Sequence, residues 1–270
     1  MLVLNYKDMN LITDSVSAKG RYHEINEDSF VCNDRYVVIA DGMGGEAHGD
    51  IASKIAVTAI SSILNGSLNE SCSEKDIMEL TFSSILYADK KISEYVVSHP
   101  EADGMGTTVL LLIHIDRNIY IGWCGDSRCF YYTSSKGLNS LTTDHSLVQQ
   151  LINEGKLSEE ESFSHPDNNL ITKFVGGGEE TCKPDFISSL LDMDETLILC
   201  SDGLSGYCRM EEIEEVLHSS CHDNLAQRLL DLAIRKGSDD DITIVTLTTG
   251  VESKRNKGSM IDWLKKLVHS

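Results

Sequence analysis

The stretch VLLLIHIDRNIYIGWCGDSRCFYY, residues 109–132, decides how the rest of the chain is read. Two β-rich runs, 107–115 and 118–124, meet across the turn-type residues Asp116, Arg117 and Asn118, a gap too short for anything but an antiparallel hairpin. Gly125 and Asp126 turn the chain again before a third run, 128–132, which the pattern pairs antiparallel as well. Working outward, β-type runs recur at 29–32, 36–40, 195–200 and 242–248, most of them bounded by Gly, Asp or Asn. Helical spacing interrupts them: 47–64 carries Ile51, Ile55, Ile60 and Leu64 among small residues, 74–97 and 222–236 repeat the spacing, and 209–218 is a shorter case. Two helices precede the hairpin and others follow, which is not the strict alternation of a doubly wound sheet. The expectation is an α+β fold with layered antiparallel sheets.

Length and charge narrow the function. A chain of 270 residues makes one large domain or two small ones; 41% hydrophobic and 24% charged residues exclude wholesale disorder and a fibrous fold. No run approaches the apolar length of a membrane span, and the N-terminus lacks a basic start followed by an apolar stretch, so a cytoplasmic protein is expected. A formal charge of -20 repels a phosphate backbone, which argues against nucleic acid as a partner. The 8 cysteines are scattered without a paired spacing and several sit in apolar runs, so reduced, mostly buried thiols are expected and a zinc site is not. Composition shifts only in 251–270, where five Lys or Arg face two acids and SMIDWLKKLV has an amphipathic pattern. The domain is therefore drawn at 8–250, followed by a short basic tail, 251–270.

Acidic residues recur at one kind of place. Glu27 and Asp28, Asp41 before Gly42, Asp126 in CGDSR, Asp202 before Gly203, and the triplet 239–241 all stand at strand ends or turns. One Asp-Gly pair is an ordinary turn. Five such sites hold carboxylates on rigid supports along one rim, and with no His or Cys cluster the oxygen donors point to Mg2+ or Mn2+.

Eight segments then combine in one order: GRYHEINEDSF (20–30), ADGMGGEAHGDIAS (40–53), GMGTTVLLL (104–112), GDSRCFYY (125–132), LTTDHSLVQQLINEGKLS (141–158), HPDNNLITKFVGG (165–177), CSDGL (200–204) and GSDDDIT (237–243). In that combination the sequence resembles the metal-dependent protein phosphatases of the PP2C type, in particular bacterial members. The resemblance implies a four-layer α-β-β-α sandwich of two antiparallel sheets flanked by helices, with a two-metal site at one end. By position it implies that Asp41 bridges two tight ions, Mn2+ or Mg2+, that Gly42 offers a backbone carbonyl, that Asp202 and Asp240 complete the set, and that Glu27 and Asp28 hold metal-bound water. Asp126, with Asp202, matches a third and weaker ion. Two cations neutralise a phosphomonoester and a hydroxide bridging them attacks in line, without a phosphoenzyme; no Cys-x5-Arg loop or G-x-S-x-G elbow offers a covalent route.

Departures from the family pattern are few. Where most relatives carry an arginine that clamps the substrate phosphate, this chain has His23, with Arg21 two residues earlier as the alternative. Met43 stands where some relatives have a proton-donating histidine, so a water is expected to protonate the leaving group, His48 being the alternative donor. Asp241 stands where Asn is usual, and Gly206 where many have another Asp. The leading expectation is a monomeric phosphatase acting on phosphoserine and phosphothreonine in proteins, the products of a cognate serine/threonine kinase. A catalytically weak or inactive regulatory module of the same fold is the alternative, and a metal-dependent nuclease or sugar-phosphate hydrolase a more distant one.

Overall fold

A computed structural model describes residues 2–6, 9–44, 48–218 and 224–250; the expected tail 251–270, Cys221 and the first residues of the expected 222–236 helix lie outside the described residues. Among the described residues thirteen strands are defined. A six-stranded sheet runs, in spatial order, β1 (Leu2–Tyr6), β2 (Met9–Ala18), β13 (Ile242–Gly250), β12 (Thr196–Cys200), β9 (Arg128–Thr133) and β10 (Gly137–Ser140). A five-stranded sheet runs β11 (Asp185–Leu190), β8 (Asn118–Cys124), β7 (Val109–Ile115), β4 (Tyr36–Ala40) and β3 (Ser29–Cys32), and β5 (Gly42–Met43) pairs with β6 (Gly106–Thr107) apart from both. Every pairing within the two large sheets is antiparallel.

Runs such as YVVIA at 36–40 are apolar at every position, where an antiparallel strand with one wet face would alternate. The reason is that both faces are covered. Tyr36, Val38 and Ala40 pack under the helices α1 (Gly49–Ser67) and α2 (Glu74–Ser98), whereas Val37 and Ile39 point into the space between the sheets. Strand β12 divides the same way, Leu197 and Leu199 to the inter-sheet core and Ile198 and Cys200 to the layer of α5 (Asp202–Ser205), α6 (Met210–Leu217) and α7 (Leu225–Lys236). The outcome is the expected α+β sandwich of four layers with three apolar fillings. Two short helices, α3 (Leu147–Asn153) and α4 (Glu159–Ser162), lie in the long connection between β10 and β11.

The hairpin of residues 109–124 forms as read, from Val109 opposite Cys124 to Ile115 opposite Asn118. The second turn does not. Strand β9 joins the six-stranded sheet, beside β12, so Gly125 and Asp126 carry the chain from one layer to the other instead of closing a hairpin. Gly125 has φ +124, and a Cβ there would come within 2.6 Å of the Thr108 side chain, a crossing only glycine makes without strain. The strand expected over 107–115 is also interrupted, its first residue belonging to β6. In α1 the buried face is Ala52, Ala56, Ala59, Ile60 and Leu64, small residues that bring the helix close to the sheet, while Ile51 and Ile55 are half-buried. All seven described cysteines are free thiols, five of them buried. Among the described residues no helix is long and apolar enough to cross a membrane.

Candidate active site

Strand register gathers the acidic residues. Ser29 lies opposite Ala40, Val109 opposite Cys124, and Cys200 opposite both Arg128 and Ile244. Within a few residues of those pairs stand Asp28, Asp41, Asp126, Asp202 and the triplet 239–241, so one rim of the sandwich receives carboxylates from both sheets and from the crossing between them. Helix α7 stops in time for this: Gly237, at φ +91, takes the left-handed cap and releases the chain into the triplet before β13 begins.

The electrostatics show how closely these groups are set. Burial pushes Asp28 up to about 7, opposed by hydrogen bonds from Thr243 and Ser201. Burial pushes Asp202 to about 6, with Asp240 adding to the rise and a hydrogen bond from Asp41 opposing it. Asp41 stands well above the usual carboxylate range, first by burial and then by the charges of Asp28, Asp202, Asp126 and Asp240. Burial and then Asp202 raise Asp126 in the same sense. Burial also raises Glu27 and Asp240, while His23 lowers each of them. Mutual repulsion of this kind is what a bound cation relieves.

Each carboxylate has a support. The Asp41 N–H donates to Thr108 Oγ1 at 3.1 Å and its carbonyl accepts from the Thr108 N–H and from Thr107 Oγ1, both at 2.8 Å. Thr108 Oγ1 in turn lies 2.8 Å from Ser127 Oγ, which links Asp41 to the crossing that carries Asp126. Ser201 Oγ donates to Asp28 Oδ2 at 2.8 Å and accepts from the Thr243 N–H at 2.9 Å; Thr243 Oγ1, Ser17 Oγ and Asn26 Nδ2 continue that line at 2.9 Å each. Arg128 binds Asp144 through Nε (2.9 and 3.1 Å) and through a second nitrogen (2.6 Å), an ion pair packed beside Asp126. His145 is buried under the crossing: its Nδ1 accepts from the Gly125 N–H at 3.1 Å and its Nε2 lies 3.0 Å from Asp185 Oδ2.

Gly42 and Gly49 leave room for Glu27. A Cβ on Gly42 would fall 2.6 Å from the Glu27 carbonyl oxygen, and one on Gly49 2.8 Å from Glu27 Oε2. His23 does not stand alone at the rim: its Nδ1 lies 3.1 Å from Asp241 Oδ2, an ionic contact outside hydrogen-bond geometry, and its Nε2 lies 4.0 Å from Asp240 Oδ1. The adjacent Asp241 carboxylate, outweighing burial, raises its pKa. Arg21 is exposed, sits over the Tyr22 ring at 5.5 Å and lines a recess with Lys19, Asp239 and Asp240. Gly206 lines a cleft of about 340 Å3 with Asp126, Asp202 and Asp240, roofed by Phe163, Asn168 and Asn169. His48 caps α1 in the left-handed conformation and its side chain makes no cap bond.

Sequence reasoning missed Asp241 as a site residue, and with it Ser201, Thr243, Ser127 and Asn26. The signal for Asp241 was present in the triplet itself. As placed, no three His, Cys, Asp or Glu side chains among the described residues converge tightly enough to hold one ion. The donors nonetheless fit hard divalent cations: Asp28, Asp126 and Asp202 each keep a buried Oδ1 without a hydrogen-bond partner, an arrangement whose desolvation only a cation or a proton offsets.

Residues 21–237 match the sequence profile of the family described as Protein phosphatase 2C. A serine/threonine protein phosphatase, PstP, of Mycobacterium tuberculosis is 31% identical over 229 residues, covering 85% of this chain and 43% of its own length, so the chain spans less than half of that relative. A serine/threonine phosphatase, stp, of Listeria innocua is 31% identical over 254 residues, 89% of this chain and 97% of its own. The crystal structure of the PstP catalytic domain in complex with two manganese ions superposes with a TM-score of 0.79 at 28% identity, over 90% of this chain and 99% of that one.

Proposed function

The chain belongs to the protein phosphatase 2C family, and on that premise we propose that it hydrolyses phosphoserine and phosphothreonine monoesters in proteins by a two-cation mechanism. The observation that carries the proposal is the single rim where Asp28, Asp41, Asp126, Asp202 and Asp240 gather with raised pKa values, and where Asp28, Asp126 and Asp202 each keep a buried, unpartnered oxygen. We assign Asp41 to both cations, Gly42 O to one of them, Asp202 and Asp240 to the other, and Glu27 and Asp28 to the waters around them; Asp126 with Asp202 takes a third, weaker ion. When bound, manganese or magnesium supplies charge neutralisation for the phosphate and an acidified water for in-line attack. The chain's own residues do the rest. Ser201 and Thr243 hold Asp28 in one orientation, so its other oxygen faces the water it must align. Thr107 and Thr108 fix the Asp41 backbone, which sets the position of a carboxylate shared by two ions. Arg21 or His23 meets the substrate phosphate, and the cleft roofed by Phe163 admits the phosphorylated side chain.

The catalytic unit is assigned to residues 8–250, with the basic 251–270 as an appended tail. The reduced thiols fit a cytoplasmic protein, which we place there as a monomer opposing a serine/threonine kinase. Manganese-dependent release of phosphate from a phosphothreonine peptide, silenced by EDTA and restored by Mn2+, tests the proposal. Binding of the phosphopeptide with no turnover at any metal concentration would leave the regulatory-module reading in its place.

A further inference from the structure

We infer that Asp241 is a positioning residue that clamps both ends of the arch of residues 20–27 over the acidic rim, and that His23 packs against that clamp and is not the phosphate clamp. The inference rests on the phosphatase reading for its catalytic consequence, though not for the clamp itself. Asp241 is 2% exposed, and both of its oxygens are used: Oδ1 accepts from the Gly20 N–H and Oδ2 from the Glu27 N–H, each at 2.6 Å. One carboxylate thus closes a loop that begins at Gly20 and ends at Glu27. Gly20 is required at the first contact, since a Cβ there would lie 2.5 Å from the Asp239 carbonyl oxygen.

An asparagine, the usual residue in the family pattern, offers one acceptor and one donor. It satisfies one of the two N–H groups and turns its own NH2 against the other, leaving a buried donor unpaired. His23 packs against the Asp241 carboxylate, its Nδ1 3.1 Å from Asp241 Oδ2 and its second nitrogen turned toward Asp240 at 4.0 Å, so both ring nitrogens face protein carboxylates. Lys19 secures the arch further by donating to the His23 carbonyl. The two departures from the family pattern, His23 and Asp241, are therefore one paired change. What the clamp positions is Glu27, whose N–H is held by Asp241 and whose carbonyl accepts from Ser53 Oγ at 2.6 Å, leaving its carboxylate aimed past Gly49. Phosphate contact then falls to Arg21.

Asp241→Asn, Asp241→Ala, His23→Ala and the Asp241→Asn/His23→Ala double variant separate these roles. In the metal-free protein, amide hydrogen exchange at Gly20 and Glu27 should accelerate about tenfold or more in both Asp241 variants, with far-UV circular dichroism unchanged. Calorimetric Mn2+ affinity should fall by a similar factor. With para-nitrophenyl phosphate kcat should drop about tenfold while KM holds, and the double variant should lose less than the product of the single losses, because both residues act through one unit. Unchanged exchange in Asp241→Asn and Asp241→Ala would overturn the clamp. A loss confined to KM, with Mn2+ affinity intact, would overturn the positioning role and return His23 to the phosphate. The exchange and calorimetric readings stand whether or not the wild-type protein turns over a phosphoester.

Discussion

Removing metal and raising pH should destabilise this protein through its own carboxylates. Asp28 titrates near 3.8 when solvated but is pushed up to about 7 by burial, and Asp202 is pushed to about 6. A raised carboxyl pKa means that the folded state binds the proton more tightly than the unfolded chain does. The stability this contributes is complete below the unfolded pKa and is lost as pH climbs through the folded one. Between pH 5.5 and 8.5, a window chosen above ordinary acid denaturation, roughly 1.5 pH units lie below the Asp28 pKa at about 1.4 kcal/mol each, or about 2 kcal/mol in all. For a chain of this size that is a fall in Tm of about 4 to 8 °C, with Asp202 adding to it. The assay is differential scanning calorimetry of EDTA-treated protein across the window, repeated on Asp28→Asn and at saturating Mn2+. Asp28→Asn should flatten the slope, since an amide keeps the Ser201 bond but carries no charge, and Mn2+, which binds the deprotonated carboxylates, should raise Tm more at pH 8.5 than at 5.5. A metal-free Tm that is level or rises from pH 5.5 to 8.5 would refute the reasoning.

Four further outcomes are expected. Asp41→Ala should cost most of the activity, more than Asp202→Ala or Asp240→Ala, while the protein still folds; retention of more than about a tenth of kcat, roughly 1.4 kcal/mol of barrier, would count against a carboxylate shared by two ions. Asp126→Ala should weaken the response to Mn2+ only at limiting metal, and a calorimetric titration that lost every tight site would show the residue to be primary. Arg128→Leu strands the Asp144 carboxylate, whose side chain is 9% exposed, and should destabilise by about 3 to 5 kcal/mol, measured by urea unfolding; pairing it with Asp144→Leu should recover much of the loss. Arg21→Ala should raise KM for a phosphothreonine peptide by about tenfold with kcat kept, the low end for a charge-assisted hydrogen bond, and an unchanged KM would leave phosphate binding to the cations.

The layers were legible where apolar residues run continuously, because a strand covered on both faces has no polar positions to confuse the reading, as in 36–40 and 196–200. Strand β2 was not, since Asp14, Ser15 and Ser17 interrupt its pattern, yet it pairs with β13 through nine registered residues. The edge strands β10 and β11 were missed for a related reason: each is largely exposed and gains its order from one neighbour. The second turn of the opening stretch misled because Gly125 and Asp126 have turn chemistry whether the chain folds back on its own sheet or crosses to another, and only the tertiary pairing of β9 with β12 decides. For the site, carboxylates at strand ends were readable one by one. Their supports were not, because Asp241 reaches Gly20 across 221 residues and Ser201 reaches Asp28 across 173, distances over which a single sequence carries no pairing signal.

The crossing at Gly125 and Asp126 has a mechanical side. Asp28 and Asp41 flank strands of the five-stranded sheet, Asp202 and Asp240 those of the six-stranded sheet, and Asp126 stands on the passage between them. Elsewhere the two layers are joined by a close-packed apolar filling. On the proposed assignment, cations at the rim would act as rivets, fixing the two plates at one edge so that shear between them would pivot there. Withdrawing them would leave a row of like charges facing across the same seam, and that edge would become the place from which the plates are prised apart.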